Sequence, residues 1–345
     1  MAPSTPDTAL AARTVLLLVG GTSPEREVSL ESGRALLEAL ERLQGLGVIA
    51  GHRTIEIEAD GTWTEAAWSG GALSLPDLDP DSQVVLLGLH GGEGEDGTLQ
   101  GALRLRGLAH TGTGVAGSAL GMDKWASRLV AQAAGLTVAP GWLVREHGEL
   151  DGEGSPASSG AGPWFVKPRR GGSSVATSRA ETPQQLMDAV REVLSTGEDA
   201  LVETAVEGTE VTVGILEGPD GAPRALPLVE IVPSAGRFFD FEEKYSSAGA
   251  TELCPPRSLS SERCEGIAEL GLRGFEAHGC EGYARVDLIV PDQGPPVFLE
   301  VNTLPGFTPR SLLPQAAAVE GLSFHDLVRH VLERALAARG AACGR

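Results

Sequence analysis

Four polar residues stand out in two apolar segments near the C-terminus. In GYARVDLIV (282–290) Arg285 and Asp287 are two apart and share one face, as do Glu300 and Asn302 in FLEVN (298–302), with apolar residues between them. The intervening PDQGPP (291–296) favours an antiparallel hairpin that brings the two polar edges together. Charges on strands of this kind are costly unless they are paired or metal-bound. Two carboxylates and an amide oxygen make a hard donor set suited to Mg²⁺, which also takes phosphate oxygens. A buried Arg-Asp-Glu salt-bridge cluster is the competing reading of the same residues.

Lys167 lies in the apolar segment WFVKP (164–168) and precedes the turn Arg169 to Val175. A lysine beside Gly171, Gly172, Ser173 and Ser174 suits a phosphate, because small residues let backbone N–H groups approach and hydroxyls add donors. In a Walker loop the lysine follows its glycines, so the arrangement here is a different one. A solvated lysine before a surface turn fits the spacing equally well. Two Gly-rich turns, GGTSPEREVS (20–29) and LHGGEGEDGTLQG (89–101), each set a helix N-terminus where a carboxylate or phosphate can bind. No GxGxxG follows the first strand, and no acidic residue ends a recognisable second strand, which argues against a dinucleotide fold. His90 alone reads more readily as a structural histidine than as a base. Tyr245 after Lys244 reads equally well as a loop anchor, and Glu203 and Glu210, on either side of Val206, as solvated acids.

The elements that must position these residues alternate between strand and helix. TVLLLV (14–19) predicts a buried parallel strand. A helix follows, capped by Ser23 with Pro24 in its first turn, carrying Leu30, Leu36, Leu37, Leu40 and Leu43 at helical spacing until Gly45 and Gly47. QVVLLGLH (83–90) predicts a second buried strand, with a short helix from Thr98, and this alternation places a site at the strand C-termini. The pattern continues with a helix over 118–134, a strand over 137–144 and a Gly/Ser/Glu-rich surface insertion over 145–163. Strands over 164–168 and 200–206 flank a helix over 183–195. Strands at 210–216 and 225–232, a loop at 233–256, a helix near 261–278, the polar hairpin and helices from Ser311 and Ser323 complete the chain. Gly and Ser in RFFDFEEKYSSAGAT, beside a lysine and a tyrosine, predict a mobile segment over 236–253.

The 345 residues exceed one compact core and suit two or three lobes with a cleft between them. With 41% hydrophobic and 21% charged residues the composition is that of a globular protein. The net charge of −20 excludes a nucleic-acid or anionic-membrane surface, which would need clustered Lys and Arg. Val15 to Val19 is far too short to span a bilayer, and neither a basic n-region nor a cleavage site surrounds it, which predicts a cytosolic protein. Four cysteines without a CxxC pair predict reduced thiols.

Taken in order, GGTSPEREVSLESG, LHGGEGEDGTLQG, TGTG with MDK, VKPRRGGSSV, EKYSSAGATELCP, RVDLIV and LEVNTLPGFTPRSLLP resemble the D-alanine–D-alanine ligases, over about residues 14–338. The resemblance implies a three-lobed α/β ATP-grasp fold with an N-terminal Rossmann-like (pre-ATP-grasp) domain. Its lobes would be residues 1–112, 113–207 and 208–345, the last carrying the metal site and the mobile loop. It implies ATP-dependent joining of two D-alanines through an acyl phosphate for peptidoglycan synthesis, with two Mg²⁺ ions (or Mn²⁺), by a homodimer. A relative joining other small amino acids is the alternative.

By the same resemblance Glu25 would hold the ammonium of the first amino acid, helped by His90 and Ser311. Lys124, Lys167 and Lys244 would hold the ATP phosphates, and Glu203, Val206 and Glu210 would surround adenine and ribose. Asp287, Glu300 and Asn302 match the magnesium ligands, and Arg285 and the backbone N–H of Gly306 match the oxyanion hole. Ser173, Tyr245, Ser311 and Leu312 match the second amino-acid site, with Glu25, Ser173 and Tyr245 forming a hydrogen-bonded triad. The chain departs from the family at Gly171, Ala176, Thr204 and Phe241 and in the composition of 145–163.

Overall fold

The computed structural model describes residues 8–65, 75–150, 156, 162–171, 177–232 and 251–343. Its N-terminal part runs α1 (Thr8–Ala11), β1 (Thr14–Gly20), α2 (Arg26–Gly45), β2 (Gly51–Ile57), β3 (Trp63–Thr64), β4 (Gln83–Leu87), α3 (Thr98–Leu105) and β5 (Ala109–His110). These strands form one sheet in the order β3-β2-β1-β4-β5, parallel except for β3. β1 and β4 are continuous apolar segments because both faces of a parallel sheet are covered. Leu36, Leu40 and Leu43 of α2 are buried in the core beside them.

Two details of this first layer differ from the sequence expectation. A second strand, β2, does exist, but its GHRTIEI sequence buries only Ile55 fully and so lacks the apolar run that marks β1. Ser23 does not cap α2, which begins at Arg26 after Glu25. Its hydroxyl instead accepts from the Glu25 N–H at 3.2 Å and donates to the His90 carbonyl at 2.7 Å.

The helix expected over 118–134 is two helices, α4 (Val115–Met122) and α5 (Lys124–Ala133). Asp123 between them has extended backbone, φ −89° and ψ 92°, and caps α5 by accepting from the Ala126 N–H at 3.0 Å. The strand expected over 137–144 is likewise two, β6 (Thr137–Val138) and β7 (Gly141–Val144), which belong to different sheets. Pro140, with no N–H to give a ladder, sits at the crossing.

β8 (Trp164–Pro168), β9 (Ser178–Ala180), α6 (Pro183–Ser195) and β10 (Ala200–Thr204) complete an antiparallel sheet in the order β7-β10-β8-β9. Thr182 and Gln185 cap α6 reciprocally. This sheet closes its own core from Val144, Trp164, Val166, Val190, Val202 and their neighbours.

β11 (Thr209–Glu217), β12 (Pro223–Ala225), β13 (Val229–Val232), β14 (Thr251–Leu253), α7 (Ser261–Ala277), β15 (Tyr283–Val290), β16 (Val297–Asn302), α8 (Leu312–Val319) and α9 (Phe324–Cys343) follow. The third sheet runs β14-β13-β11-β15-β16-β6, with β12 beside β11. α9 returns to pack against α2, β4 and β5, so one apolar core runs from the first sheet through Leu304, Phe307 and Leu313. Cys254, Cys264 and Cys280 are free thiols, and burial pushes the Cys280 thiol up to about 12. Among the described residues no helix is long and apolar enough to cross a membrane.

Candidate active site

The C-terminal hairpin forms as its polar spacing requires. β15 and β16 are antiparallel, with Arg285 opposite Asn302 and Asp287 opposite Glu300, so all four residues share one face. A bulge follows Asp287 and re-aims the strand at this point. Arg285 and Asp287 are both buried and form a two-armed pair, Nε to Oδ1 at 3.0 Å and Nη2 to Oδ2 at 2.6 Å. Thr212, from β11, accepts from Arg285 Nε at 3.2 Å and donates to Asp287 Oδ1. Asn302 Oδ1 accepts from the Leu304 N–H at 3.1 Å. The ion-pair reading is thus realised for Arg285 and Asp287. Asp287, Glu300 and Asn302 remain an oxygen-only set on one face, which fits Mg²⁺ by donor chemistry.

The two Gly-rich turns meet over this hairpin. Ser29 ties them together, its hydroxyl accepting from the Gly20 N–H at 2.8 Å and donating to the Gly88 carbonyl at 2.7 Å. Glu25 is buried against Gly91, whose φ of +65° and lack of a Cβ make the approach feasible, since a Cβ there would lie 2.2 Å from Glu25 Oε2. His90 Nδ1 lies 3.2 Å from the Leu304 carbonyl and Nε2 lies 2.9 Å from Ser32 Oγ. A carbonyl only accepts, so Nδ1 carries the proton and Nε2 accepts from Ser32. Burial lowers the His90 pKa to about 4, so the ring is neutral at pH 7. Both ring nitrogens are engaged within the protein, and the bond to Leu304 spans 214 residues of chain.

Glu95 accepts from the Gly91 N–H at 3.0 Å. Burial first, and then the charges of Glu25 and Glu300, raise its pKa to about 8, against the opposing pull of Gly91 and Lys124. Glu56, near the end of β2 where a dinucleotide fold would hold a ribose, is salt-bridged to Arg26.

The lysines come from the other elements. Lys124 opens α5, its backbone N–H donating to the Arg169 carbonyl at 3.0 Å and its Nζ donating to the Gly171 carbonyl. Asp123 accepts from Arg169 Nη2 at 2.7 Å, and although burial would raise its pKa, Arg169 and the Ala126 N–H hold it below the usual range. Lys167 Nζ lies 2.7 Å from Glu203 Oε2. Burial would lower its pKa, but Glu203, with a further contribution from Glu300, raises it. The other oxygen of Glu203 lies 3.3 Å from Arg128 Nε. Val206 lies between β10 and β11, where the chain passes from the second sheet to the third. Glu210 lies two residues before Thr212 on β11, and therefore on its face.

Gly306 packs so close to Ser311 that a Cβ would lie 3.0 Å from its Oγ. The Ser311 hydroxyl accepts from the Thr308 N–H at 3.1 Å, just before α8 begins at Leu312. The Leu312 side chain is buried in the core, which leaves its helix-terminal N–H as the group that can face a ligand. Burial raises the Glu252 pKa, against a hydrogen bond from Gln315 and the charges of Arg285 and Arg310. Ser173, Lys244, Tyr245, Ala176 and Phe241 lie outside the described residues, as do most of 236–253 and part of the 145–163 insertion.

Sequence reasoning missed Glu95, Arg128, Thr212 and the Asp123–Arg169 pair. Arg128 stands four residues after Lys124 on one helix, a usable signal, whereas Thr212 in an apolar strand offered none.

A mainly parallel α/β layer, an antiparallel sheet and a largely antiparallel one whose edge strand β6 runs parallel to β16, with lysines and carboxylates supplied from all three, follow the ATP-grasp plan. Two solved structures share it across the chain. The D-Ala:D-Ser ligase VanG from Enterococcus faecalis aligns with a TM-score of 0.80 at 28% identity, covering 94% of this chain and 99% of that one. D-alanine–D-alanine ligase from Bacillus anthracis, complexed with ATP, aligns at 0.75 and 26%, covering 96% and 100%. Residues 130–333 match the family model for the D-ala D-ala ligase C-terminus. The D-alanine–D-alanine ligase of Halalkalibacterium halodurans is 39% identical over 316 residues, covering 91% of this chain and 96% of that one. The chain belongs to the D-alanine–D-alanine ligase family.

Proposed function

We propose that this enzyme uses ATP to join two molecules of D-alanine into D-alanyl-D-alanine, for peptidoglycan synthesis. The observation that carries the reading is geometric: the Gly-rich turn after β4 is bonded to the end of β16 through His90 and Leu304, and Lys167 of the second sheet reaches α5, which packs on β16, through Glu203 and Arg128, so groups from the first layer and from both other sheets approach the hairpin that carries Asp287, Glu300 and Asn302. Such convergence suits a reaction that must bring a triphosphate and two zwitterions together.

A carboxylate does not react with an amine until it is activated, and here phosphorylation by the γ-phosphoryl group of ATP supplies the activation. Lys124 and Lys167 bind the phosphates, joined by Lys244, while Glu203, Val206 and Glu210 border the base and ribose. Glu25, seated on Gly91, holds the ammonium of the first D-alanine. His90 supports that turn and Ser311 assists from α8. The second D-alanine binds at Ser173, Tyr245, Ser311 and the Leu312 N–H, its ammonium gives up a proton beside the acyl phosphate, and the resulting amine attacks the acyl carbon. Arg285 and the Gly306 N–H stabilise the oxyanion before phosphate departs. Asp287, Glu300 and Asn302 would hold Mg²⁺, or Mn²⁺ in its place, and the ion would supply neutralisation of phosphate charge.

We assign residues 1–112 to acyl-substrate binding, 113–207 and 208–345 to the nucleotide clamp, and take the enzyme to be a cytosolic homodimer. Incubation with ATP, Mg²⁺ and a panel of D- and L-amino acids, followed by mass analysis, tests the function. One phosphate released per D-alanyl-D-alanine is expected. Turnover with other amino acids but none with D-alanine would overturn it.

A further inference from the structure

One buried cation has no part in this scheme. Arg128 lies one helical turn after Lys124 on α5 and is only 6% exposed. Its Nε is 3.3 Å from Glu203 Oε1, its Nη2 donates to the Ala139 carbonyl, and its Cζ lies 5.1 Å from the centre of the Trp125 ring. Gly141 passes so near that a Cβ there would be 2.9 Å from Nη2. A single carboxylate, Glu203, is therefore shared by two cations from separate elements, Lys167 of β8 and Arg128 of α5. Ala139 is the point where the chain crosses from the third sheet to the second.

Lys167 cannot serve a triphosphate while it alone neutralises Glu203, because turning away would leave a buried carboxylate unpaired. Arg128 removes that conflict. We propose that Arg128 is a positioning residue for the nucleotide: it carries the charge of Glu203 when Lys167 turns to the phosphates, and it fixes the crossing between the two sheets that border them. A guanidinium suits both tasks, since its Nη2 donates to the Ala139 carbonyl while its charge stays 3.3 Å from Glu203 at Nε, which pairs with that carboxylate by charge and not by a hydrogen bond. The inference rests on ATP being the phosphoryl donor.

Calorimetric titration of MgATP into wild type, Arg128→Met, Arg128→Lys, Glu203→Gln and the Arg128→Met/Glu203→Gln double variant tests it. Arg128→Met should raise the ATP Kd by about tenfold or more while KM for D-alanine stays within about twofold, since the lost interaction belongs to one ligand. In the Glu203→Gln background, where no charge needs balancing, the same substitution should cost about twofold or less, a non-additivity expected of direct partners. Arg128→Lys, which keeps the charge on Glu203 but loses the second donor to Ala139 and guards against a misfolded Met variant, should fall clearly between wild type and Arg128→Met. Equal losses in both backgrounds, or a Lys variant as impaired as Met, would overturn the proposal alone. Wild type that binds no ATP would overturn the nucleotide reading and this proposal with it.

Discussion

At the residue scale the active-site pairs carry both chemistry and stability. Asp287 is bonded to Arg285 through both oxygens, so its loss touches the fold as well as the reaction. Asp287→Asn should abolish ligation and also lower stability by about 3 kcal/mol, because it leaves a buried guanidinium without its counter-charge. Phosphate release and thermal denaturation read the two effects separately. Near-normal turnover with Mg²⁺ would remove Asp287 from the metal set.

His90 makes a pH prediction. Its folded pKa, about 4, lies below the ordinary 6.5, so the unfolded chain takes the proton first. The stability tied to its neutral ring is intact above about pH 6.5 and is withdrawn as pH falls toward 4, by about 3 kcal/mol in all. Melting temperature against pH should fall less steeply for His90→Gln than for wild type over that window. Parallel curves would show that His90 is not the titrating group.

At the element scale the break between α4 and α5 does what one continuous helix could not. It frees Asp123 to cap α5, presents the Lys124 N–H to the Arg169 carbonyl and pairs the Asp123 carboxylate with the Arg169 guanidinium beside Lys167. Asp123→Ala removes a cap and a partly buried ion pair together and should cost about 2 kcal/mol. KM for ATP should rise more than KM for D-alanine, because the elements it joins carry Lys124 and Lys167. Steady-state kinetics with each substrate varied in turn checks this. Equal rises would indicate general loosening.

At the scale of the whole molecule the first sheet and part of the third share one apolar core, the third sheet packs a separate core with α7 around Val213, Ile267, Phe275 and Val286, and the second sheet closes its own. Bonds such as His90 to Leu304 join the first and third sheets, and the crossings at Ala139–Pro140 and Ala205–Gly208 carry the chain to and from the second. The product is also a whole-molecule outcome, since both substrates must meet. With equal D-alanine and D-lactate from pH 6 to 9, the dipeptide should predominate at pH 7. A free phenol has a pKa of about 10 and is neutral at pH 7, so a tyrosine at position 245 would not repel an incoming ammonium as a charged imidazole would. Mass analysis showing mainly the D-alanyl-D-lactate ester at pH 7 would refute that role for Tyr245.

Sequence alone determined the features that depend on near neighbours. The apolar runs of β1 and β4, the span of α6 and the shared face of Arg285, Asp287, Glu300 and Asn302 follow from periodicity, which local backbone geometry enforces. The motifs also carried the family and the reaction. Only the tertiary structure decided which charges meet: that Arg285 takes Asp287, that Glu203 serves Lys167 and Arg128 together, that His90 turns both nitrogens inward, and that Glu95 lies among like charges. It also decided that 118–134 and 137–144 each divide, because Asp123 gains partners by leaving the helix and residues 139–140 must pass between sheets. Partners separated by tens or hundreds of residues leave no period in the chain, and a pairing energy exists only once the fold has brought them together and excluded water.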